Sequence, residues 1–145
     1  MTAHFDGLCF IDTNIWLYAF IADQDARKNV IAKQIIETHS IVLSVQVLNE
    51  ITVNLLKKTN LGEKEIQDLL HSFYTRYPVL GLDKEVLMDA SRLRSRFSLS
   101  FWDSLIIASA RYGGADFLLT EDMHDGLVVS EGLRIINPFM VDNQG

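Results

Sequence analysis

The feature that most constrains this chain is a series of short apolar runs separated by stretches with helical periodicity. The runs are residues 8–11, 41–44, 79–82, 117–120 and 133–136, each bounded by turn or helix signals. Between them, residues 15–21, 23–39, 46–59, 63–77, 83–97 and 101–112 read as helices. Val47, Leu48, Ile51, Leu55 and Leu56 fall on one helical face, and so do Ile66, Leu69, Leu70 and Phe73. Asn60-Leu61-Gly62 breaks the pattern, Pro78 stops a helix and opens a strand, Gly113-Gly114 ends another helix, and Asn137-Pro138 closes the last strand. Val128-Val129 reads as one more short strand. Strands apolar on both faces must be covered by helices on both sides. The class is therefore α/β, with a mainly parallel sheet of about five strands.

The length of 145 residues suits a single domain, residues 1–145. A chain of this size buries about 70% of its unfolded surface, so one core suffices without staples. The lone cysteine, Cys9, cannot form an intrachain disulfide and sits in an apolar run as a core residue. The first residues carry no lysine or arginine, so no secretory leader is expected, and no run is long enough to span a membrane. The expected home is cytoplasmic. The net charge of −6 lacks the basic footprint of most nucleic-acid binders. It is equally the charge of an enzyme whose acidic site is completed by bound cations.

In parallel sheets ligands gather at the carboxyl ends of the strands, and acids stand at those ends here. Asp12 directly follows the first run. Asp122 follows the fourth by one turn. Glu50 lies about one and a half turns into the helix after the second, and Asp103 lies in the first turn of the helix before the fourth. Two unit charges about 4 Å apart repel by about 4 kcal/mol at an effective dielectric of 20. A cluster of such acids persists only if protonated, separated by water or neutralised by cations. An all-oxygen site suits Mg2+ or Mn2+. Ions held this way activate water, orient a phosphodiester and stabilise the leaving oxygen, and no histidine is required.

Each acid also has a plainer role open to it. Asp12 fits a helix N-cap, Glu50 a solvated helix face, Asp103 a capping box with Ser100, and Asp122 a turn. Glu121 and Asp125 read as turn or solvated acids. The four histidines, His4, His39, His71 and His124, show no zinc spacing, and His124 reads as a surface turn. Arg92, Arg94, Arg96 and Arg111 read as a solvated face rather than an RNA track. Lys57-Lys58 suits the negative end of a helix dipole. Phe101 and Trp102 read as core or cleft wall rather than a stacking platform. An apolar patch on residues 46–77 is the expected partner surface.

Four segments, in order, resemble the PIN-domain family, and especially the VapC-like toxins of toxin–antitoxin pairs. They are Phe10-Ile11-Asp12-Thr13-Asn14-Ile15, Ser44-Val45-Gln46-Val47-Leu48-Asn49-Glu50, Phe101-Trp102-Asp103-Ser104-Leu105-Ile106-Ile107-Ala108-Ser109-Ala110 and Leu119-Thr120-Glu121-Asp122-Met123-His124-Asp125-Gly126, with Ile135-Ile136-Asn137-Pro138-Phe139 resembling the closing strand. The likeness runs over nearly the whole chain, and no expected acid is missing. It implies a three-layer, Rossmann-like sheet and a Mg2+- or Mn2+-dependent endoribonuclease. It also implies a homodimer and a small protein antitoxin that blocks the site. By the same resemblance Asp12, Glu50, Asp103 and Asp122 would hold metal, directly or through water. Thr13, Asn14 and Thr120 would support them, and Asp125 would be an extra ligand.

Two other classes stay open at this point. One is a non-catalytic module of the same fold that binds RNA or a partner. The other is a phosphatase of the haloacid-dehalogenase kind, which also places an Asp after its first strand. That family usually needs a second Asp two residues on, where this chain has Asn14, and its lysine motif is not evident.

Overall fold

A computed structural model describes residues 4–123, 128–130 and 132–140, with side chains described outside 128–130. In chain order the elements are β1 (Leu8–Ile11), α1 (Thr13–Phe20), α2 (Ala26–Thr38), β2 (Ser40–Ser44), α3 (Val45–Lys58), α4 (Glu63–Arg76), β3 (Val79–Leu80), α5 (Lys84–Phe97), α6 (Phe101–Tyr112), β4 (Phe117–Leu119), β5 (Val128–Ser130) and β6 (Leu133–Ile136). The strands form one sheet in the order β3-β2-β1-β4-β6-β5. Among the described residues five strands run parallel, and β5 alone pairs antiparallel, with β6. The α/β class and the mainly parallel sheet expected from the sequence are both present.

Most helices start where the sequence supplies an N-cap acceptor. Asp12, Asp25, Ser44, Asp83 and Ser100 each accept a backbone N–H of the first turn with their side chain. That is why α1 begins at Thr13 rather than at the first apolar position of the pattern. The third strand is shorter than its apolar run suggests. Leu43 pairs with Val79 and Ser44 with Leu80, but Ser44 then turns away to cap α3. Gly81 and Leu82 consequently have no strand to pair with, and Leu82 is left exposed.

The central strands are buried on both faces: Cys9, Phe10, Ile11, Leu43, Leu118 and Leu119 are fully enclosed. Burial, with the Asp116 charge adding to it, pushes the Cys9 thiol up to about 12, so it behaves as a small core side chain. Trp16 of α1 packs edge-on against Phe73 of α4 and against Tyr77, which ties α4 to the body of the protein. No helix among the described residues is long and apolar enough to cross a membrane.

The strand order decides where a site can form. From β1 the chain moves outward through β2 to β3. It then returns to lay β4 against the other side of β1, with Phe10 opposite Leu118 and Ile11 opposite Leu119. The order reverses between β1 and β4, and a crevice opens beyond the carboxyl ends of strands at such a point.

Candidate active site

Asp12 is the first residue beyond β1, and its backbone N–H continues the ladder by donating to the Leu119 carbonyl at 3.0 Å. Both carboxylate oxygens are engaged. Oδ1 accepts the Thr13 N–H at 2.7 Å, and Oδ2 accepts the Thr120 hydroxyl at 2.8 Å. One side chain therefore both caps α1 and lines the cleft. Thr13, itself buried, turns its hydroxyl to Glu50 Oε1 on α3 at 2.8 Å. Thr120 is buried too, and its oxygen accepts the Asp122 backbone N–H at 3.2 Å while its proton goes to Asp12. Asn14 donates its amide to Asp122 Oδ2. Thr13, Asn14 and Thr120 thus join the acids into one hydrogen-bonded set.

Asp103 is different. Its backbone N–H is capped by Ser100 Oγ at 3.1 Å, which is one half of the capping box expected from the sequence. The reciprocal half is not made: among the described residues, no hydrogen bond or ion pair reaches the Asp103 carboxylate. It faces the same cleft of about 200 Å³ that Asp12, Glu50 and Asp122 line. Four segments distant in sequence thus bring four carboxylates to the switch point. His124 and Asp125 lie outside the described residues.

The charges feel this crowding. Asp12 is pushed up to about 6, chiefly by burial; the Thr120 and Thr13 hydrogen bonds oppose the shift, and the charges of Glu50 and Asp122 add to it. Asp122 is also raised, first by burial and then by Glu121 and Asp103, while Asn14 and Lys28 work the other way. A cation would relieve both residues.

Among the described residues, no three acids, histidines or cysteines stand close enough to enclose an ion directly. The donor set nevertheless fits a hydrated hard cation: it is all oxygen and carries several negative charges. The Asp103 carboxylate has no partner among the described residues, and Mg2+ usually keeps several of its waters when bound. A larger apolar groove of about 330 Å³ lies among Trp16, Phe20, Leu69 and Phe73. Glu37 is the only acid among the described residues that line it, whereas four acids line the smaller cleft.

Several residues carry parts that sequence reasoning missed. Glu121 is not a solvated acid. It accepts the Tyr18 hydroxyl and pairs with Lys28 Nζ at 2.6 Å, which holds the start of the Asp122 loop against α1 and α2. Lys28 and Glu121 lie 93 residues apart, and no local pattern joins them. Gln46, Asn54 and Ile106 line the cleft. Phe101 and Trp102 are not core, at 47% and 61% exposed, although Trp102 does form part of the cleft wall. The arginines face structural tasks: Arg111 pairs with Asp89 at 3.3 Å, and Arg94 lies over the Phe101 ring.

Comparisons with known proteins agree with this fold. No curated protein matches the chain. Among solved structures, a toxin–antitoxin complex from Klebsiella pneumoniae is similar with a TM-score of 0.66 at 20% identity, over 90% of this chain and 97% of that one. VapC20 of Mycobacterium tuberculosis, a sarcin-ricin loop cleaving toxin, is similar with a TM-score of 0.61 at 22% identity, over 76% of this chain and 86% of that one. A DNA-bound VapBC from Salmonella typhimurium gives 0.59 at 17% identity, over 88% and 95%. At these identities the likeness is one of fold. The PIN-domain model matches residues 9–124, a span that holds all of β1 but Leu8, the switch point and all four acids of the cleft; the chain belongs to the PIN-domain family.

Proposed function

We propose that this protein is a divalent-metal-dependent endoribonuclease, a single PIN domain over residues 1–145, and the toxin of a type II toxin–antitoxin pair. The observation that carries the reading is the meeting of Asp12, Glu50, Asp103 and Asp122 in one cleft at the switch point of a PIN fold. A pure binding module has no evident use for four mutually repelling acids. The phosphatase alternative loses its ground because Asn14, where that family needs an Asp, is an amide bonded to Asp122.

Asp12, Glu50, Asp103 and Asp122 would hold Mg2+ or Mn2+, directly or through water. The ion, when bound, supplies a water nucleophile active near neutral pH and a counter-charge for the phosphodiester. The chain's own residues do the rest. Thr120 and the Thr13 backbone fix the Asp12 carboxylate, and Thr13 fixes Glu50. Asn14 and the Thr120 oxygen hold Asp122 at the mouth. Asp103, with no donor among the described residues, would be available to the ion or its waters. Water gives up one proton to solvent and adds to phosphorus, the bond to the leaving sugar oxygen breaks, and that oxygen takes up a proton from solvent. No side chain need act as general base.

The reading carries with it a cytoplasmic setting, a homodimer and a protein antitoxin. The apolar groove around Trp16 and Phe73 is the surface offered to a partner. It overlaps the expected 46–77 patch through Leu69, Phe73 and Tyr77. The test is cleavage of total RNA by the purified protein with Mg2+, with Mn2+ and with chelator, alongside Asp12→Asn. Cleavage that needs metal and is lost in the variant supports the reading; cleavage that is indifferent to both overturns it.

A further inference from the structure

Gln46 sits in the first turn of α3 with 6% of its surface exposed, and neither its amide nitrogen nor its amide oxygen finds a hydrogen-bond partner among the described residues. A buried amide with nothing to bond is costly, and a polar group entering beside it would relieve that cost. Gln46 lines the acidic cleft and also a second groove beside it, of about 410 Å³, shared with Asn49, Glu50, Val53, Asn54, Leu82 and Trp102. Glu50, Asn54 and Trp102 likewise line both spaces, so the groove is a lateral extension of the cleft.

The chemistry of this extension is specific. Trp102 presents an indole that is 61% exposed. The Phe101 ring braces it edge-on at 5.1 Å, and the Arg94 guanidinium lies over Phe101 at 5.2 Å. An exposed aromatic held this way is a stacking surface. Three amides, on Gln46, Asn49 and Asn54, each offer a donor and an acceptor, the pairing that reads a base edge. Asn54 spends one of its two N–H groups on the Glu50 carbonyl at 2.8 Å, which leaves the other and its oxygen. Val53 and Leu82 supply apolar surface at 48% and 41% exposure. Among the described residues no lysine or arginine lines the groove, so it suits a base rather than a phosphate.

We propose that this groove is a nucleobase subsite: an unpaired base next to the scissile phosphodiester stacks on Trp102 and is read by the Gln46 amide. The proposal rests on the nuclease reading of the adjoining acids and adds a determinant of which RNA is cut. It also gives the Leu82 excursion a use, since a longer β3 would carry Leu82 into the sheet rather than to the groove wall.

The test pairs two measurements. Cleavage sites are mapped on randomised RNA with wild type, Gln46→Leu, Trp102→Ala and Trp102→Phe, with kcat and KM for the favoured sequence. The expected result is a base preference at one position beside the cut. Gln46→Leu flattens it by roughly 5- to 100-fold. Trp102→Ala raises KM more than it lowers kcat, and Trp102→Phe restores most of the loss. Gln46→Leu also melts higher than wild type, since it removes an unpartnered buried amide, so its defect cannot be put down to misfolding.

Indole fluorescence is then titrated with AMP, GMP, CMP and UMP in Mg2+. Trp16 is buried, so quenching that disappears in Trp102→Phe reports the groove directly. Wild type that cleaves but shows no preference altered by Gln46→Leu or Trp102→Ala overturns the subsite and leaves the nuclease standing. Wild type that cleaves nothing overturns the nuclease reading, and the titration still decides whether bases enter the groove. Variants that lose a protein partner while handling RNA normally would make it a protein-docking face and overturn the proposal.

Discussion

Thr120 and Asp12 stand 108 residues apart in the chain, and the Thr120 hydroxyl donates to Asp12 Oδ2 at 2.8 Å. The bond spans the switch point, joining the residue after β1 to the residue after β4. Thr120→Val keeps the shape and removes the donor. Asp12 should then titrate above its present value of about 6, because the Thr120 bond is one of the contacts that lower it. Metal affinity and RNA cleavage should fall by about 10- to 100-fold, the usual consequence of losing a group that orients a ligand. Titration calorimetry with Mn2+ and a cleavage assay check this; unchanged affinity would show that Thr120 is packing alone.

Asp12→Asn and Asp103→Asn should both abolish cleavage, but their effects on stability should differ. Asp12 accepts two hydrogen bonds and caps α1, whereas the Asp103 carboxylate has no partner among the described residues. Asp103→Asn should therefore leave the melting temperature unchanged or slightly raised, with activity lost. A large loss of stability in Asp103→Asn would mean that the residue holds the fold rather than the reaction.

Divalent metal should stabilise the folded chain by relieving the repulsion that raises Asp12 and Asp122. At 100 times the dissociation constant the gain is about 2.7 kcal/mol. A thermal shift with Mg2+ or Mn2+, absent in a combined Asp12→Asn and Asp103→Asn variant, is the expected outcome. A shift of equal size in that variant would locate the ion elsewhere.

The pH dependence of the metal-free protein should carry the signature of Asp12. Its folded value of about 6 lies above the ordinary 3.8. Below pH 3.8 both folded and unfolded chains hold the proton, and no difference arises. Between 3.8 and about 6 the unfolded chain releases it while the folded chain keeps it, so stability falls as pH rises. Above about 6 the penalty is complete, at about 3 kcal/mol. Asp12→Asn removes this dependence. In chelator, its stability relative to wild type should improve between pH 4 and pH 7 by about that amount. Denaturant unfolding at the two pH values measures it, and a constant difference would mean that Asp12 is not charged against a cost.

Much of the fold was legible in local sequence because its causes are local. The i, i+4 spacing of Ile51 and Leu55 places them on one face whatever the rest of the chain does. Asp12, Ser44 and Ser100 cap helices with their own side chains, and Pro78 and Gly113-Gly114 end elements by backbone chemistry alone. The four acids could be picked out because each lies at or near a strand's carboxyl end or in the first turns of a helix.

Tertiary structure decided what these pieces do to one another. Strand order set β4 beside β1, and only the parallel register of Phe10 with Leu118 brings Thr120 within reach of Asp12. The turn of Ser44 into α3 cut β3 short and released Leu82. Burial separated residues that look alike in sequence: Glu121 went to Lys28 and Tyr18, Asp103 stayed open to the cleft, Trp102 was left exposed while Trp16 was enclosed, and Gln46 was buried without a partner among the described residues. Periodicity and caps act over a turn or two of chain. Hydrogen bonds and charges between residues about a hundred positions apart exist only once the sheet has closed around them.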